Sequence, residues 1–137
     1  MKDLDWSNLS FGYRQTDYNV RCYYRDGKWG EIEVCSDEYL KLHMAATCLH
    51  YGQEAFEGLK AYRCPDGKVR VFRMDENAKR LQSTCRGILM PEVPTEMFEE
   101  MVKKVVRLNQ EWIPTYESGA TLYIRPLLIG TSAQVGV

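Results

Sequence analysis

Two Asp-Gly pairs constrain the fold of this chain more than any other feature of its sequence. Asp26-Gly27 and Asp66-Gly67 each lie between two strand-like runs. Glycine adopts a positive φ without steric cost and aspartate tolerates one, so each pair favours a tight hairpin. The predicted strands are residues 20–24 and 29 onward for the first hairpin, and residues 56–63 and 68–72 for the second. The first half of the chain therefore predicts antiparallel strands.

The middle of the chain has helical periodicity in two segments. Asp75 is predicted to cap the first helix, because its carboxylate would accept an amide hydrogen bond there, and Gly87 suits its end. Thr95 is the predicted cap of the second helix, which Pro114 would stop. The periodic positions are Ala78, Leu81, Thr84 and Cys85 in the first segment, and Phe98, Met101, Val102, Val105 and Trp112 in the second.

A last strand is predicted over residues 120–129. Strands, two helices and a further strand predict an α+β fold: an antiparallel β-sheet with two helices packed against it. The chain lacks the regular βα alternation of a doubly wound fold, and its glycines form neither GxGxxG nor a P-loop. These absences argue against dinucleotide-binding and NTPase folds.

Length and charge narrow the functional class. The 137 residues suit a single domain over 1–137. A formal net charge of -1 offers no electrostatic case for nucleic acid. No apolar stretch is long enough for a membrane span, and the first residues do not resemble a secretory signal, so a cytoplasmic location is expected. The five cysteines are widely spaced, which predicts reduced, mostly buried thiols and no metal site.

The segment 49–62 holds residues that could bind a ligand. As a strand from Ala55, it would place Phe56, Gly58, Lys60 and Tyr62 on one face. A glycine inside a strand weakens it unless the missing side chain leaves room for a ligand or another backbone. The pattern alone favours the alternative, a glycine bulge beside a core phenylalanine.

Two arginines are candidates for binding anions. Arg80 lies about one turn into the first helix, and its planar fork suits phosphate. Solvated arginines are common on such helices, however, and Arg70, Arg73 and Arg86 are expected to be of that kind. Arg125 shares a strand face with Tyr123 in an otherwise apolar segment, so it must meet an anion, carbonyl groups or water. A structural salt bridge to a nearby carboxylate is an equally good interpretation.

Three of these segments together resemble the branched-chain aminotransferases of the fold-type IV enzymes that use pyridoxal 5′-phosphate (PLP). The resemblance rests on LHYGQEAFEGLKAY, VRVFRMDENAKRL and LYIRPLLIG, which occur in the family's order at fitting intervals. It extends to Phe11-Gly12, Lys28-Trp29-Gly30 and Val135-Gly136-Val137, and so covers nearly the whole chain. It implies the small N-terminal domain of such an enzyme.

The resemblance also implies roles for individual residues. Arg80 matches the arginine that binds the PLP phosphate. Tyr123 resembles a tyrosine that helps to hold the substrate α-carboxylate, and Arg125 an arginine that accommodates the side-chain carboxylate of glutamate. Further matches line the side-chain pocket (Phe11, Phe56, Gly58 and again Tyr123) or reach into the other subunit's active site (Tyr51, Val135 and Val137). A homodimer acting on branched-chain amino acids, glutamate and their 2-oxo acids is therefore expected.

The resemblance also implies what this chain does not contain. The Schiff-base lysine of the family belongs to the larger C-terminal domain, so we expect no catalytic residue here and no activity from these residues alone. Lys60 does not match that lysine and is expected to be solvated or salt-bridged. Two alternatives stay open: another fold-type IV enzyme, such as a D-amino acid aminotransferase or aminodeoxychorismate lyase, and a non-catalytic dimerisation module.

Overall fold

The structure is a computed structural model that describes residues 12–135. Its strands pair antiparallel throughout this part of the chain, in four short sheets. In chain order the elements are β1 (Asn19–Arg21), β2 (Tyr24–Arg25), β3 (Lys28–Trp29), β4 (Glu33–Cys35), α1 (Thr47–His50), β5 (Glu54–Phe56), β6 (Leu59–Arg63), β7 (Val69–Val71), α2 (Met74–Gly87), α3 (Thr95–Leu108), β8 (Leu122–Ile124) and β9 (Leu127–Ile129). The predicted α+β fold is confirmed.

Both predicted hairpins form at the Asp-Gly pairs. Asp26 and Gly27 have φ values of 53° and 79° between β2 and β3, so both central residues of that turn lie in the left-handed region. Gly67, with φ 82°, closes the turn between β6 and β7. The single strand predicted over 20–24 is divided instead, because β1 pairs with β4 while β2 pairs with β3.

A longer antiparallel ladder runs through the second half of the sheet structure and is broken once. β6 pairs with β8, and β5 pairs with β9 in the same register, so Phe56 lies opposite Leu127 and Leu59 opposite Ile124. At the break, the Glu57 amide donates to the Pro126 carbonyl oxygen at 3.0 Å. Proline has no amide hydrogen to return the bond, which interrupts the ladder. The strand predicted over 120–129 is therefore two strands.

The helix starts differ from prediction. α2 begins at Met74, and its N-cap is Arg73 in a left-handed conformation with φ 52° and no side-chain cap, so Asp75 as N-cap is wrong. Asp75 lies in the first turn, where a negative charge favours the helix dipole. Thr95 is likewise the first helical residue of α3, not its cap. The end of α2 at Gly87 is confirmed.

The second helix is shorter than its periodicity predicted. α3 ends at Leu108, and the chain continues through a 3₁₀ turn over Gln110–Trp112 before Pro114. Its buried residues face α2 and the strands, and they form one core. That core comprises Ala55, Leu59, Ala61 and Ile124 from the strands, Ala78, Leu81 and Cys85 from α2, Phe98, Val102 and Val106 from α3, and Val93 and Ile113 from the connections.

The cysteines and the helices bear on two further expectations. All five cysteines are free thiols, but only Cys85 is buried and the other four are half-buried, so the prediction of mostly buried thiols is wrong. Burial raises the pKa of the Cys85 thiol.

Within residues 12–135 no helix has the length and apolar character needed to cross a membrane, and no cluster of metal-ligating side chains occurs.

Asn109 fastens the beginning of the described chain to the end of α3. It is 2% exposed, and its Oδ1 accepts hydrogen bonds from the amides of Asp17 and Tyr18 at 3.1 and 3.0 Å. Its Nδ2 donates to the carbonyl oxygens of Tyr18 and Val105 at 3.0 and 2.8 Å. This one side chain therefore replaces a strand partner for the segment that leads into β1.

Replacing Asn109→Ala should lower the free energy of unfolding by roughly 2–4 kcal/mol, because several buried backbone groups lose their partners together. Urea unfolding followed by circular dichroism measures the loss. The control is Gln110→Ala at the adjacent exposed position, which should change the free energy by less than about 0.5 kcal/mol. Equal effects at the two positions would contradict the assignment.

Candidate functional site: an anion-binding cleft beside a strand break

Glu57 is a carboxylate on the buried side of a strand. Ala55, Leu59 and Ala61 are buried on that side, whereas Phe56 and Lys60 are exposed on the other, so the alternation continues through the break at residues 57–58. Glu57 itself is only 4% exposed. A buried carboxylate is costly unless charged or hydrogen-bonding groups satisfy its oxygens. The chemistry of this site therefore depends on which side chains contact the Glu57 carboxylate.

Two side chains of α2 satisfy this carboxylate. Arg80 Nε donates to both oxygens at 3.0 Å, and Arg80 Nη2 donates to Oε1 at 2.6 Å. Asn77 Nδ2 donates to the same Oε1 at 2.9 Å and to the Gly58 carbonyl oxygen at 3.3 Å. The hydrogen bonds and charge of Glu57 raise the pKa of the Arg80 guanidinium, which stays a cation. Arg80 is thus held at one edge of its guanidinium.

The Arg80 side chain is 67% exposed and lines an open cleft of about 600 Å³. Lys60 and Arg73 add positive charge to the same cleft, and Glu76, which pairs with Arg73 at 3.2 Å, adds one negative charge. A phosphate monoester needs several N–H donors and net positive charge, and these side chains supply both. The residues present therefore fit the phosphate of a cofactor such as PLP.

Gly58 lines this cleft and lies directly beneath Tyr123. A Cβ on Gly58 would come within 2.2 Å of the Tyr123 hydroxyl oxygen, so only glycine allows the approach. Arg125 Nη2 donates to that same hydroxyl oxygen at 3.2 Å. The Arg125 guanidinium also stacks on the Phe56 ring, 4.3 Å from its centroid, and lies 5.3 Å from that of Tyr123. Charge and apolar surface are thus combined in one cluster.

The structure brings five of the predicted site residues together. Arg80 and Gly58 line the cleft, and Gly58 contacts Tyr123, which contacts Arg125 and through it Phe56. Tyr51 and Val135 lie apart from the cleft lining, on exposed positions of two segments joined by the Thr47 amide and the Ser132 carbonyl oxygen. Phe11 and Val137 lie outside the described residues.

Several interpretations from the pattern can now be decided. Phe56 is 58% exposed, so a bulge beside a core phenylalanine is wrong. Within residues 12–135 the Arg125 guanidinium contacts rings and a hydroxyl, and it pairs with no carboxylate. Lys60 is exposed, as expected. Arg70, Arg73 and Arg86 were expected to be solvated. They are exposed, and each also forms a surface ion pair: Arg70 with Asp66, Arg73 with Glu76, and Arg86 with Glu92.

Glu57 and Asn77 were not among the predicted site residues. The signal existed in the sequence, since Glu57 occupies an inward position between Ala55 and Leu59. Asn77 and Arg80 are three residues apart and so share a helix face. A buried acidic position needs charged or hydrogen-bonding partners, but the sequence does not show which of the many arginines faces it.

Curated relatives match this chain over its whole length. The branched-chain-amino-acid aminotransferase of Haemophilus influenzae is 53% identical over 137 residues, which are 100% of this chain and 40% of that protein. The Helicobacter pylori enzyme of the same name is 46% identical, again over 100% of this chain and 40% of that protein. The chain is homologous to the N-terminal part of the branched-chain-amino-acid aminotransferases. It spans about 40% of the length of these relatives. No protein-family model matches it.

Solved structures of this family agree in fold. The branched-chain aminotransferase of Escherichia coli matches with a TM-score of 0.62 and 26% identity, over 87% of this chain and 35% of that one. The T.th. branched-chain amino acid aminotransferase in complex with N-(5′-phosphopyridoxyl)-L-glutamate matches with a TM-score of 0.59 and 29% identity, over 74% of this chain and 32% of that one. The resemblance drawn from the three motifs is confirmed.

Replacing Gly58→Ala should displace the Tyr123 ring and lower the free energy of unfolding by roughly 1–3 kcal/mol, because the new methyl group overlaps the hydroxyl. The cost should shrink in a Tyr123→Phe background, which lacks the overlapping oxygen. A double-mutant cycle by urea unfolding measures this coupling. Gly87→Ala is the control, since a Cβ there meets no atom within 4 Å apart from the neighbouring backbone of its own helix. Additive effects at 58 and 123 would refute the close contact.

Proposed function

We propose that residues 1–137 form the small N-terminal domain of a branched-chain-amino-acid aminotransferase, an enzyme that transfers the amino group of leucine, isoleucine or valine to 2-oxoglutarate. The observation that carries the proposal is the joining of two sites. The cationic cleft holds the Arg80 guanidinium, and Gly58 lines the same cleft. Gly58 also contacts Tyr123, whose neighbours Arg125 and Phe56 present a guanidinium and an aromatic ring together. The names of the relatives support the same activity.

Arg80 would hold the phosphate of PLP in the cleft, together with the field of Lys60 and Arg73. When bound, PLP is the electron sink that makes amino transfer possible. The Schiff-base lysine and the acid–base step are assigned to the part of the relatives' length that this chain does not span. The chain's own contribution is to bind and orient.

The cluster above Gly58 would recognise the substrate. Phe56 and Tyr123 offer ring surface to an aliphatic side chain, and the Arg125 guanidinium, stacked on Phe56, offers charge to the carboxylate of glutamate. A hydroxyl that accepts from a guanidinium is polarised toward donating, so Tyr123 suits an α-carboxylate oxygen. One pocket would thereby accept apolar and acidic side chains in turn.

A homodimer in the cytoplasm completes the proposal. Tyr51 is 44% exposed and Val135 is 81% exposed, and both lie on the linked segments away from the cleft. Side chains placed in this way are available to a second subunit, where they would line its pocket with Val137. Phe11 would line the pocket of its own subunit.

The complete protein with PLP should convert L-leucine and 2-oxoglutarate to the branched 2-oxo acid and glutamate. Residues 1–137 alone should show no turnover, because no lysine in them is assigned to the Schiff base. A coupled glutamate assay measures both. A complete protein that uses D-alanine in clear preference to L-leucine would point to a D-amino acid aminotransferase, and turnover by residues 1–137 would contradict the division of labour.

Replacing Arg125→Gln in the complete protein should lower kcat/KM for glutamate by about tenfold or more, since a charge-assisted bond to the side-chain carboxylate is lost. The value for leucine should fall much less. The control is Arg70→Gln, which removes an equal charge from an exposed ion pair with Asp66 and should change neither value. Equal losses for glutamate and leucine would show that Arg125 does not distinguish them.

A further inference from the structure

We propose that Glu57 is a positioning residue, which aims Arg80 so that the free edge of its guanidinium faces the phosphate in the cleft. This rests on the proposed function, because it concerns how the same site holds a phosphate. It assigns a role to a carboxylate that would otherwise be expected to weaken anion binding. The inference follows from the geometry of the pair, the burial of Glu57, and the exposure of Arg80.

The geometry divides the guanidinium into two edges. Five N–H groups lie in one plane in arginine. Glu57 accepts from Nε and from Nη2, which occupies the edge nearest the strand. The opposite edge, formed by Nη1 and the second hydrogen of Nη2, points away from Glu57 because the fork is planar. That edge has the geometry for a two-bond contact with phosphate, and the side chain lines the cleft.

Glu57 can act as a fixed anchor because it is itself held from several sides. Its amide donates to the Pro126 carbonyl oxygen at 3.0 Å, its carboxylate accepts from Asn77 at 2.9 Å, and its side chain is only 4% exposed. Arg80, in contrast, is 67% exposed. A long exposed side chain samples many rotamers, and ordering it on ligand binding costs conformational entropy. The contact with Glu57 removes that cost before the phosphate arrives.

Two effects of Glu57 on phosphate binding have opposite signs. Its negative charge repels the phosphate, so removing the charge alone would strengthen binding. Its hold on Arg80 orders the donor, so removing the hold would weaken binding. The sign of the change on mutation therefore separates a positioning residue from an incidental salt bridge.

The measurement uses the complete protein, with dissociation constants for PLP and for pyridoxal, which lacks the phosphate. The ratio of the two constants isolates the phosphate contribution from the rest of cofactor binding. Glu57→Gln should reduce the preference for PLP by about tenfold, as expected for loss of one oriented charge-assisted contact. The ³¹P resonance of bound PLP should shift toward that of free PLP.

Glu76→Gln is the matched control. It removes the same charge from the same cleft, yet Glu76 bonds Arg73 and Lys79 instead of Arg80. This variant should leave the preference unchanged or increase it. Asn77→Ala, which loosens Glu57 while keeping both charges, should reduce the preference to a smaller extent. It also carries the test if thermal melting shows that Glu57→Gln does not fold.

The outcomes separate this inference from the proposed function. A wild-type protein with no preference for PLP over pyridoxal would overturn the PLP-dependent function, and this inference with it. A wild-type preference that Glu57→Gln or Asn77→Ala leaves unchanged or increases would overturn the positioning role alone. A reduced preference in both variants, with no reduction in Glu76→Gln, would support it.

Discussion

Because Pro126 has no amide hydrogen, the antiparallel ladder is interrupted where the candidate site lies. The pairing of β5 with β9 and the pairing of β6 with β8 share one register. The two strands therefore continue past the break, where only the hydrogen bond from the Glu57 amide to the Pro126 carbonyl oxygen forms. Glu57, Gly58, Arg125 and Pro126 meet at that point. Glu57 lies on the buried side of the strand at this point, whereas Phe56 and Arg125 are exposed on the other side. The two faces of the broken ladder therefore carry different chemical groups.

The buried charge of Glu57 then determines the electrostatics on the α2 side. Because an unpaired carboxylate in this position would be very costly, Arg80 and Asn77 must approach it, and α2 is thereby fixed against the strand. The pairing consumes only part of the guanidinium. The remainder lines a cleft whose other charged walls are mostly cationic. A carboxylate that joins α2 to the strand therefore also prepares the site that we assign to a phosphate.

On the other face of the strand, the residues at the break place a charged guanidinium next to aromatic rings. Gly58 lets the Tyr123 hydroxyl approach the backbone, and Arg125 reaches that hydroxyl while stacking on Phe56. Arginine suits this position because its flat, weakly hydrated guanidinium stacks on rings and still offers hydrogen bonds. Under the proposed function, this arrangement would let one surface receive an aliphatic side chain in one half-reaction and a carboxylate in the other.

The sequence by itself determined the hairpin turns, the two amphipathic helices and the end of α2, because these depend on local φ preferences and on the helical period. Its motifs also indicated the family and the residues Arg80, Gly58, Tyr123 and Arg125. Local signals misplaced both helix starts: Arg73 adopts a left-handed conformation before Met74, and the second helix begins after Pro94. Only the tertiary structure decided that Arg80, among several arginines nearby, faces Glu57. Glu57 and Arg80 are twenty-three positions apart in the sequence, so their contact depends on how α2 packs on the strands. The pattern of side chains along the chain does not specify that packing.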